Sequence, residues 1–173
     1  DLKHLIYFES LLENANNELV QKAQAEGNLA LGYTCYHVPE ALLNVGNCFS
    51  VRLRAPHTGS IDIATYYMSN YTCEFARALV ERGIEGGYQF LDAMIGVDAC
   101  SMMNRAMEHF EILKVNDKPN FFVTHCDIPY KITDYTLDSY VKQMRIHVLD
   151  KLTEVYGVDT SDAAIRQAVA EHN

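Results

Sequence analysis

The stretch LALGYTCYHVPEALLNVGNCFSVRLRA (29–55) decides the fold. Its first part, 29–36, is a short apolar run that ends in a turn and predicts a strand. Residues 39–46 begin with Pro and end with Gly, which are typical start and stop signals of a helix. Residues 49–55 alternate in polarity and predict a second strand. The stretch therefore predicts strand, helix and strand in close succession.

The same alternation continues along the chain. Residues 93–98 and 121–127 predict a third and a fourth strand. Strands that alternate with helices are typical of a parallel sheet. We therefore expect an α/β fold, with a Rossmann-like parallel four-stranded sheet that has helices on both faces, plus N-terminal and C-terminal helices. The predicted helices cover 2–26, 61–69, 73–83, 101–114 (with Ser101 as its cap), 134–156 and 160–173.

The predicted helices and strands divide the chain into three parts. Residues 1–27 form an N-terminal helix, 28–130 form the α/β domain, and 131–173 form a C-terminal helical extension. The formal net charge of −9 over 173 residues makes the chain a poor partner for nucleic acid or an anionic membrane surface. No apolar run is long enough to span a membrane, and the N-terminus lacks the features of a signal peptide. A cytoplasmic location is expected.

Four of the five cysteines fall at predicted strand ends or at a helix start, namely Cys35, Cys73, Cys100 and Cys126. In open α/β sheets the functional site lies beyond the carboxyl ends of the strands. Thiolates are ligands for iron–sulfur clusters, zinc or monovalent copper, but their spacing here lacks the short pairs of zinc ribbons and bacterial ferredoxins. The residues alone leave open both a metal site and a set of core cysteines. Cys48, at the opposite edge, is expected to be a core residue.

Four segments of the sequence resemble those of a known protein family. They are GYTCYHVPEALLNVGNCFSVRLRA (32–55), CEFARALVERG (73–83), FLDAMIGVDACSMMNRAMEHF (90–110) and DIPYKITDYTLDSYVKQM (127–144). In order and spacing they resemble the 2-hydroxyacyl-CoA dehydratase and benzoyl-CoA reductase family, of the 2-hydroxyglutaryl-CoA dehydratase D-component type. The resemblance covers nearly the whole chain.

The resemblance implies a four-iron–four-sulfur cluster held by Cys35, Cys73 and Cys100, with one iron open to water or substrate. Cys126 is then a core residue or a support for a neighbouring ligand. His37 and Glu40 follow the first cysteine closely and are candidate catalytic residues. A turn role for His37 and a helix-dipole role for Glu40 are the simpler interpretations.

The resemblance also implies the reaction and the partners. A separate ATP-hydrolysing iron–sulfur activator protein injects one electron, and a 2-hydroxyacyl-CoA thioester then loses water by way of a ketyl radical. A homologous second subunit completes the enzyme. Two other branches of the family, the benzoyl-CoA reductases and the reductases with a double-cubane cluster, have similar residues here. Outside the family, a structural zinc domain and a metal-free, flavodoxin-like binding module remain open.

The sequence departs from the family in two respects. Family subunits usually have a second, similar α/β domain, so the chain is interpreted as the N-terminal domain only and is expected to be inactive alone. Ser101 stands where an acidic residue usually follows the third cysteine. Beside the cysteines, Arg77 and Arg105 are expected either to balance cluster charge or bind a CoA phosphate, or to pair with surface carboxylates. Three tyrosines are expected in the core or at an interface, namely Tyr66, Tyr67 and Tyr71.

Overall fold

Four parallel strands form a single sheet in the computed structural model of the protein, which describes residues 2–56 and 58–173. The strand order is β2-β1-β3-β4, and every neighbouring pair is parallel, which confirms the predicted α/β class. Asp1, at the start of the predicted N-terminal helix, and His57, in the loop after β2, lie outside the described residues. The strands are β1 (Leu29–Tyr33), β2 (Cys48–Arg52), β3 (Ala93–Asp98) and β4 (Phe122–Asp127).

Helices cover both faces of this sheet, as predicted. Among the described residues, no helix combines the length and apolar character needed to cross a membrane. A 3₁₀ helix at Glu40–Asn44 joins β1 to β2. A π-helical segment at Arg145–Leu149 joins the α-helix Asp134–Met144 to the α-helix Asp150–Tyr156. The α-helices are α1 (Leu2–Leu12), α2 (Glu18–Ala25), α3 (Ala64–Tyr67), α4 (Glu74–Ile84), α5 (Ser101–Ile112), α6 (Asp134–Met144), α7 (Asp150–Tyr156) and α8 (Asp162–His172).

The two faces of the sheet have separate apolar cores. On one face, the 3₁₀ helix and the C-terminal helices α6 to α8 pack against alternate residues of the strands, such as Leu31 and Ile95. On the other face, α2, α4 and α5 pack against the intervening residues, such as Ala30 and Met94. Since successive strand residues point to opposite faces, fully buried strands are apolar at nearly every position. This explains why β1 and β3 appear in the sequence as uninterrupted apolar runs.

The prediction of one N-terminal helix over 2–26 is wrong, because this segment forms the two helices α1 and α2. The run Asn14–Asn17 separates them, and the Asn17 side chain accepts hydrogen bonds from the backbone N–H groups of Leu19 and Val20. An asparagine that caps a helix in this way favours a new helix start over continuation. None of the α1 side chains is buried, whereas Val20 of α2 packs against the sheet.

Several other elements are shorter than predicted. The segment 39–46 is a 3₁₀ turn rather than an α-helix, and 61–69 contains only the four-residue α3. The long helix predicted over 134–156 is continuous but contains the π-helical segment. Ser161 caps α8, since its side chain accepts a hydrogen bond from the backbone N–H of Ala164.

Candidate functional site

The carboxyl edge of the sheet contains a topological switch point between β1 and β3. From β1 the chain continues to the 3₁₀ helix on one face, and from β3 it continues to α5 on the other face. This arrangement opens a crevice between the two strand ends, where ligands of open α/β sheets bind. Cys35 lies shortly after β1, and Cys100 lies shortly after β3. Two of the three predicted ligands therefore flank the crevice.

The third predicted ligand lies beside the second. Cys73 and Cys100 occupy the N-cap positions of α4 and α5, two helices that pack together. The backbone N–H of Cys73 donates to Sδ of Met102, in the first turn of α5, at 3.2 Å. Neither cysteine side chain caps its helix. The two thiols are therefore not used as helix caps at these N-termini.

Burial separates the five cysteines into two classes. Cys73 and Cys100 are exposed and Cys35 is partly buried, whereas Cys48 and Cys126 belong to the core. Burial raises the pKa of the Cys48 thiol to about 12 and the pKa of the Cys126 thiol to about 11. The three residues assigned by resemblance are therefore the three that are not buried.

This difference predicts a selective alkylation pattern. At pH 8, iodoacetamide is expected to modify Cys73 and Cys100 in the folded chain while Cys126 stays unmodified. A raised pKa means that the thiolate forms only at higher pH, and a change from 9.0 to about 11 leaves about a hundredfold less thiolate at pH 8. Peptide mass spectrometry checks the pattern, with the urea-unfolded chain as the control in which every cysteine reacts. Rapid labelling of Cys126 in the folded protein would contradict it.

The three unburied cysteines near this edge are thiols, the donor type that both iron–sulfur clusters and zinc accept. Within residues 2–56 and 58–173, no three or more His, Cys, Asp or Glu side chains are grouped around the position of one metal ion. This gives the zinc alternative no support. A cubane cluster spreads its thiolate ligands over separate corners, and Cys35, Cys73 and Cys100 supply three such ligands from one edge. A buried hydroxyl without a partner, that of Thr34, lies directly beside Cys35. These residues suit such a cluster by their chemistry, since all three are thiols that the core does not fully bury.

The two predicted catalytic residues differ in their surroundings. His37 is exposed, and its backbone carbonyl accepts from the Tyr140 hydroxyl at 3.3 Å. Glu40 begins the 3₁₀ helix, and its carboxylate accepts from the Ser50 hydroxyl of β2 at 2.8 Å. His37 borders a mainly apolar cavity of about 290 Å³, which is further lined by Ile128, Pro129, Ile132, Thr136, Leu137 and Tyr140.

The two arginines near the cysteines behave differently from each other. Arg105 forms an exposed ion pair with Glu108 at 2.5 Å, which confirms the simpler of its two predicted roles. Arg77 is buried and forms no ion pair with any described carboxylate. Its guanidinium donates to the Thr72 carbonyl at 3.1 Å and to the Asn70 side chain at 3.4 Å. Arg77 therefore holds the segment that leads into Cys73, a role that the sequence did not indicate.

One further expectation is corrected at this edge, because Cys100, not Ser101, is the N-cap residue of α5 and Ser101 is its first helical residue. Tyr66 and Tyr71 are 87% and 95% exposed, which excludes the core, one of the two placements predicted for them, and leaves an interface. Together with three other exposed tyrosines that follow strands β1 and β4, they form what we name the tyrosine rim, which consists of Tyr36, Tyr66, Tyr71, Tyr130 and Tyr135.

Close packing explains why a glycine, Gly32, lies three residues before Cys35 in the first motif. A Cβ at this position would lie 2.7 Å from Leu91 Cδ1 and 3.3 Å from Leu53 Cδ1, both in the core. Gly32→Ala is therefore expected to lower the free energy of unfolding by about 1–3 kcal/mol through overpacking. Urea denaturation checks the change. Gly59→Ala is the matched control, since nothing lies within 4 Å of its Cβ position, and an equal loss in both variants would contradict the packing explanation.

Comparison with known proteins gives two matches. The family model described as "2-hydroxyglutaryl-CoA dehydratase, D-component" matches residues 35–173. The chain is also similar to the beta subunit of (R)-2-hydroxyglutaryl-CoA dehydratase from Acidaminococcus fermentans, with 22% identity over 157 residues. The alignment covers 90% of this chain and 40% of that subunit. All three exposed or partly exposed cysteines lie within the residues that the family model matches.

Proposed function

Because the chain belongs to the 2-hydroxyglutaryl-CoA dehydratase D-component family, we propose that it is the iron–sulfur part of a 2-hydroxyacyl-CoA dehydratase. The substrate class is a 2-hydroxyacyl-CoA thioester, from which the enzyme removes water. When bound, a four-iron–four-sulfur cluster supplies a low-potential electron for this radical chemistry. Cys35, Cys73 and Cys100 are the proposed ligands.

The observation that carries this proposal is the difference in burial between two of the five cysteines and the other three. A chain whose cysteines served only packing would bury them, as it buries Cys48 and Cys126. The other three instead lie unburied at the carboxyl edge, at positions fixed by two strand ends and two helix starts. Arg77 holds the segment before Cys73, and Met102 accepts from its backbone N–H. The scaffold therefore fixes the backbone at Cys73 and leaves the thiols of Cys73 and Cys100 exposed, while Cys35 is partly buried against the core.

The surroundings of the crevice support a site that a partner closes. A radical intermediate requires a site from which water is excluded, yet Cys73 and Cys100 are exposed here. The tyrosine rim follows three of the four strands at this same edge, and tyrosines of this kind are typical of protein interfaces. We propose that a homologous second subunit, or a second domain of the same enzyme, covers the rim. The chain alone is then inactive although it binds the cluster.

We propose different roles for His37 and Glu40, which both follow Cys35 closely in sequence. His37 is exposed beside the apolar cavity and is placed to donate a hydrogen bond to a substrate oxygen there. Glu40 is held by Ser50 and stabilises the turn that carries Cys35 and His37. On this proposal His37→Ala reduces turnover, whereas Glu40→Gln mainly reduces stability.

The experiment that tests the function uses the full-length subunit, assembled anaerobically with its second subunit and with the ATP-hydrolysing activator. We expect 2-hydroxyglutaryl-CoA to lose water only when activator and ATP are present, and with far less than one reductant consumed per product. A reductase of the benzoyl-CoA type would instead consume reductant in proportion to product. Absence of iron and sulfide from the assembled enzyme would contradict the proposal.

A further inference from the structure

The two cysteines at helix starts share a repeated local arrangement, in which the residue four positions later bonds to the chain on both sides of the cysteine. After Cys73 this residue is Arg77. Its backbone N–H donates to the Cys73 carbonyl at 3.1 Å, as in any helix. Its guanidinium reaches back and donates to the carbonyl of Thr72, directly before the cysteine, at 3.1 Å and to Asn70 Oδ1 at 3.4 Å. Arg77 therefore ties the loop before Cys73 to the helix after it.

After Cys100 the corresponding residue is Asn104. Its backbone N–H donates to the Cys100 carbonyl at 2.9 Å, and its side-chain amide donates to the carboxylate of Asp98, the last residue of β3. Between the strand and the helix, the Ala99 N–H donates to the Val97 carbonyl at 2.8 Å and closes a tight turn. Asn104 therefore connects the end of β3 to the start of α5 across the cysteine.

These side-chain bonds replace the usual helix cap. An N-cap residue ordinarily fixes the entry of the chain with its own side chain, as Asn17 does for α2. Neither Cys73 nor Cys100 does so, and a thiol is a weak acceptor. The third proposed ligand, Cys35, differs because the residue four positions later is Pro39, which has no N–H. At the two helix starts the entry of the chain is thus fixed without using the sulfur.

The two arginines near the cysteines are not equivalent in this arrangement. Arg77 is 7% exposed and forms no ion pair with a described carboxylate, so its burial carries a desolvation penalty that its bonds to the loop offset. Arg105 lies five positions after Cys100 and forms an exposed ion pair with Glu108. The counterpart of Arg77 is therefore Asn104.

We propose that Arg77 and Asn104 are positioning residues, which hold the backbones of Cys73 and Cys100 so that both sulfurs keep the places that the cluster requires. They act through the cysteines and bind neither the cluster nor the substrate. Replacing residues that orient metal ligands typically costs about 10- to 100-fold in metal affinity. This inference rests on the proposed function, since it requires the cluster.

Exchanging donor and acceptor tests the Asn104 contact. Asn104→Asp places a second carboxylate against Asp98, and adding Asp98→Asn returns an amide donor to the pair. Each chain is reconstituted anaerobically with iron and sulfide, and the rate of iron loss to excess chelator is followed by visible absorbance. We expect Asn104→Asp to lose iron about tenfold faster and the double variant to lose it at the rate of the unmodified chain. Asp127→Asn is the matched control, since Asp127 is exposed and pairs with Asp98 in the register of β3 and β4, and it should leave the rate unchanged.

Arg77→Lys tests the other contact. Lysine keeps the positive charge but lacks the guanidinium that bonds to both Thr72 and Asn70. We expect iron loss to be about tenfold faster in this variant. Arg82→Lys, at an arginine of the same helix that pairs with Glu85, should leave the rate unchanged.

Urea denaturation of the chains without iron separates positioning from folding. The Asp98 contact is exposed, so Asn104→Asp is expected to keep nearly the urea midpoint of the unmodified chain. Because Arg77 is buried, the Asn104 exchange decides if Arg77→Lys fails to fold. An unchanged rate in Asn104→Asp, a double variant that stays fast, or faster iron loss that only follows a lower midpoint would each overturn the inference and leave the proposed function intact. Failure of the unmodified chain to bind iron would contradict both proposals.

Discussion

Replacing Cys35, Cys73 or Cys100 singly with serine is expected to abolish the visible absorbance of the reconstituted chain and most of its bound iron. The unmodified chain is expected to bind about four iron and about four sulfide, with a broad absorbance near roughly 400 nm. Serine presents a harder oxygen donor with a much higher pKa, and soft thiolates are what iron–sulfur clusters require. Since the proposal assigns three protein ligands to four irons, the loss of one leaves two irons without a protein ligand.

The two buried cysteines provide matched controls for this prediction. Cys48→Ala and Cys126→Ala each remove a core sulfur and are expected to lower the free energy of unfolding by about 1–2 kcal/mol. Both should retain the cluster in full. Iron and sulfide assays on all five variants therefore separate ligand loss from loss of stability. Loss of the cluster in Cys126→Ala, with retention in Cys73→Ser, would contradict the assignment.

Replacing Asp92 with alanine is expected to lower the free energy of unfolding by about 2–3 kcal/mol. Its buried carboxylate accepts from the backbone N–H of Ala30 at 2.8 Å and from Lys118 Nζ at 2.8 Å. Its own carbonyl accepts from the hydroxyl of Tyr156 at 2.8 Å. Asp92 thus connects β1, the start of β3, the segment before β4 and α7 at the amino edge of the sheet. Alanine leaves a buried N–H without a partner and leaves Lys118 without its carboxylate.

Asp117→Ala is the control for the Asp92 variant. Asp117 is exposed, lies next to Lys118 in sequence and forms no ion pair with a described cation. Urea denaturation followed by circular dichroism is expected to show a clear decrease in the midpoint for Asp92→Ala and almost none for Asp117→Ala. Because the amino edge lies opposite the cysteines, Asp92→Ala should still bind iron below its unfolding transition. Equal midpoints for the two variants would show that the carboxylate contributes little.

The strands could be predicted because their signal is local. The run over 93–98 is apolar at nearly every position, and β3 has those bounds, since a strand buried on both faces has no polar side to interrupt it. The break between α1 and α2 was missed because the apolar residues on both sides of residues 14–17 recur at helical spacing, and the cap geometry of Asn17 shows the second start. Strand β2 ends earlier than predicted because its pairing with β1 extends only to Arg52.

The candidate site could be predicted only in outline. The topology places Cys35 and Cys100 at one edge, because the carboxyl ends of parallel strands meet there. The roles of Arg77 and Met102 depend on burial or on a contact between residues distant in sequence, and the sequence contains no local signal for either. The same holds for Asp92, whose carboxylate partners lie 62 and 26 residues away.

On the proposed function, Cys35, Cys73 and Cys100 share one iron–sulfur cluster at the carboxyl edge of the sheet. The most direct measurement is the anomalous diffraction of anaerobically reconstituted crystals at the iron absorption edge. We expect a single compact iron peak in the crevice between β1 and β3, with irons bonded to the sulfurs of these three residues. Iron bound elsewhere, or a fully reconstituted protein in which the three sulfurs remain apart and carry no iron, would contradict it.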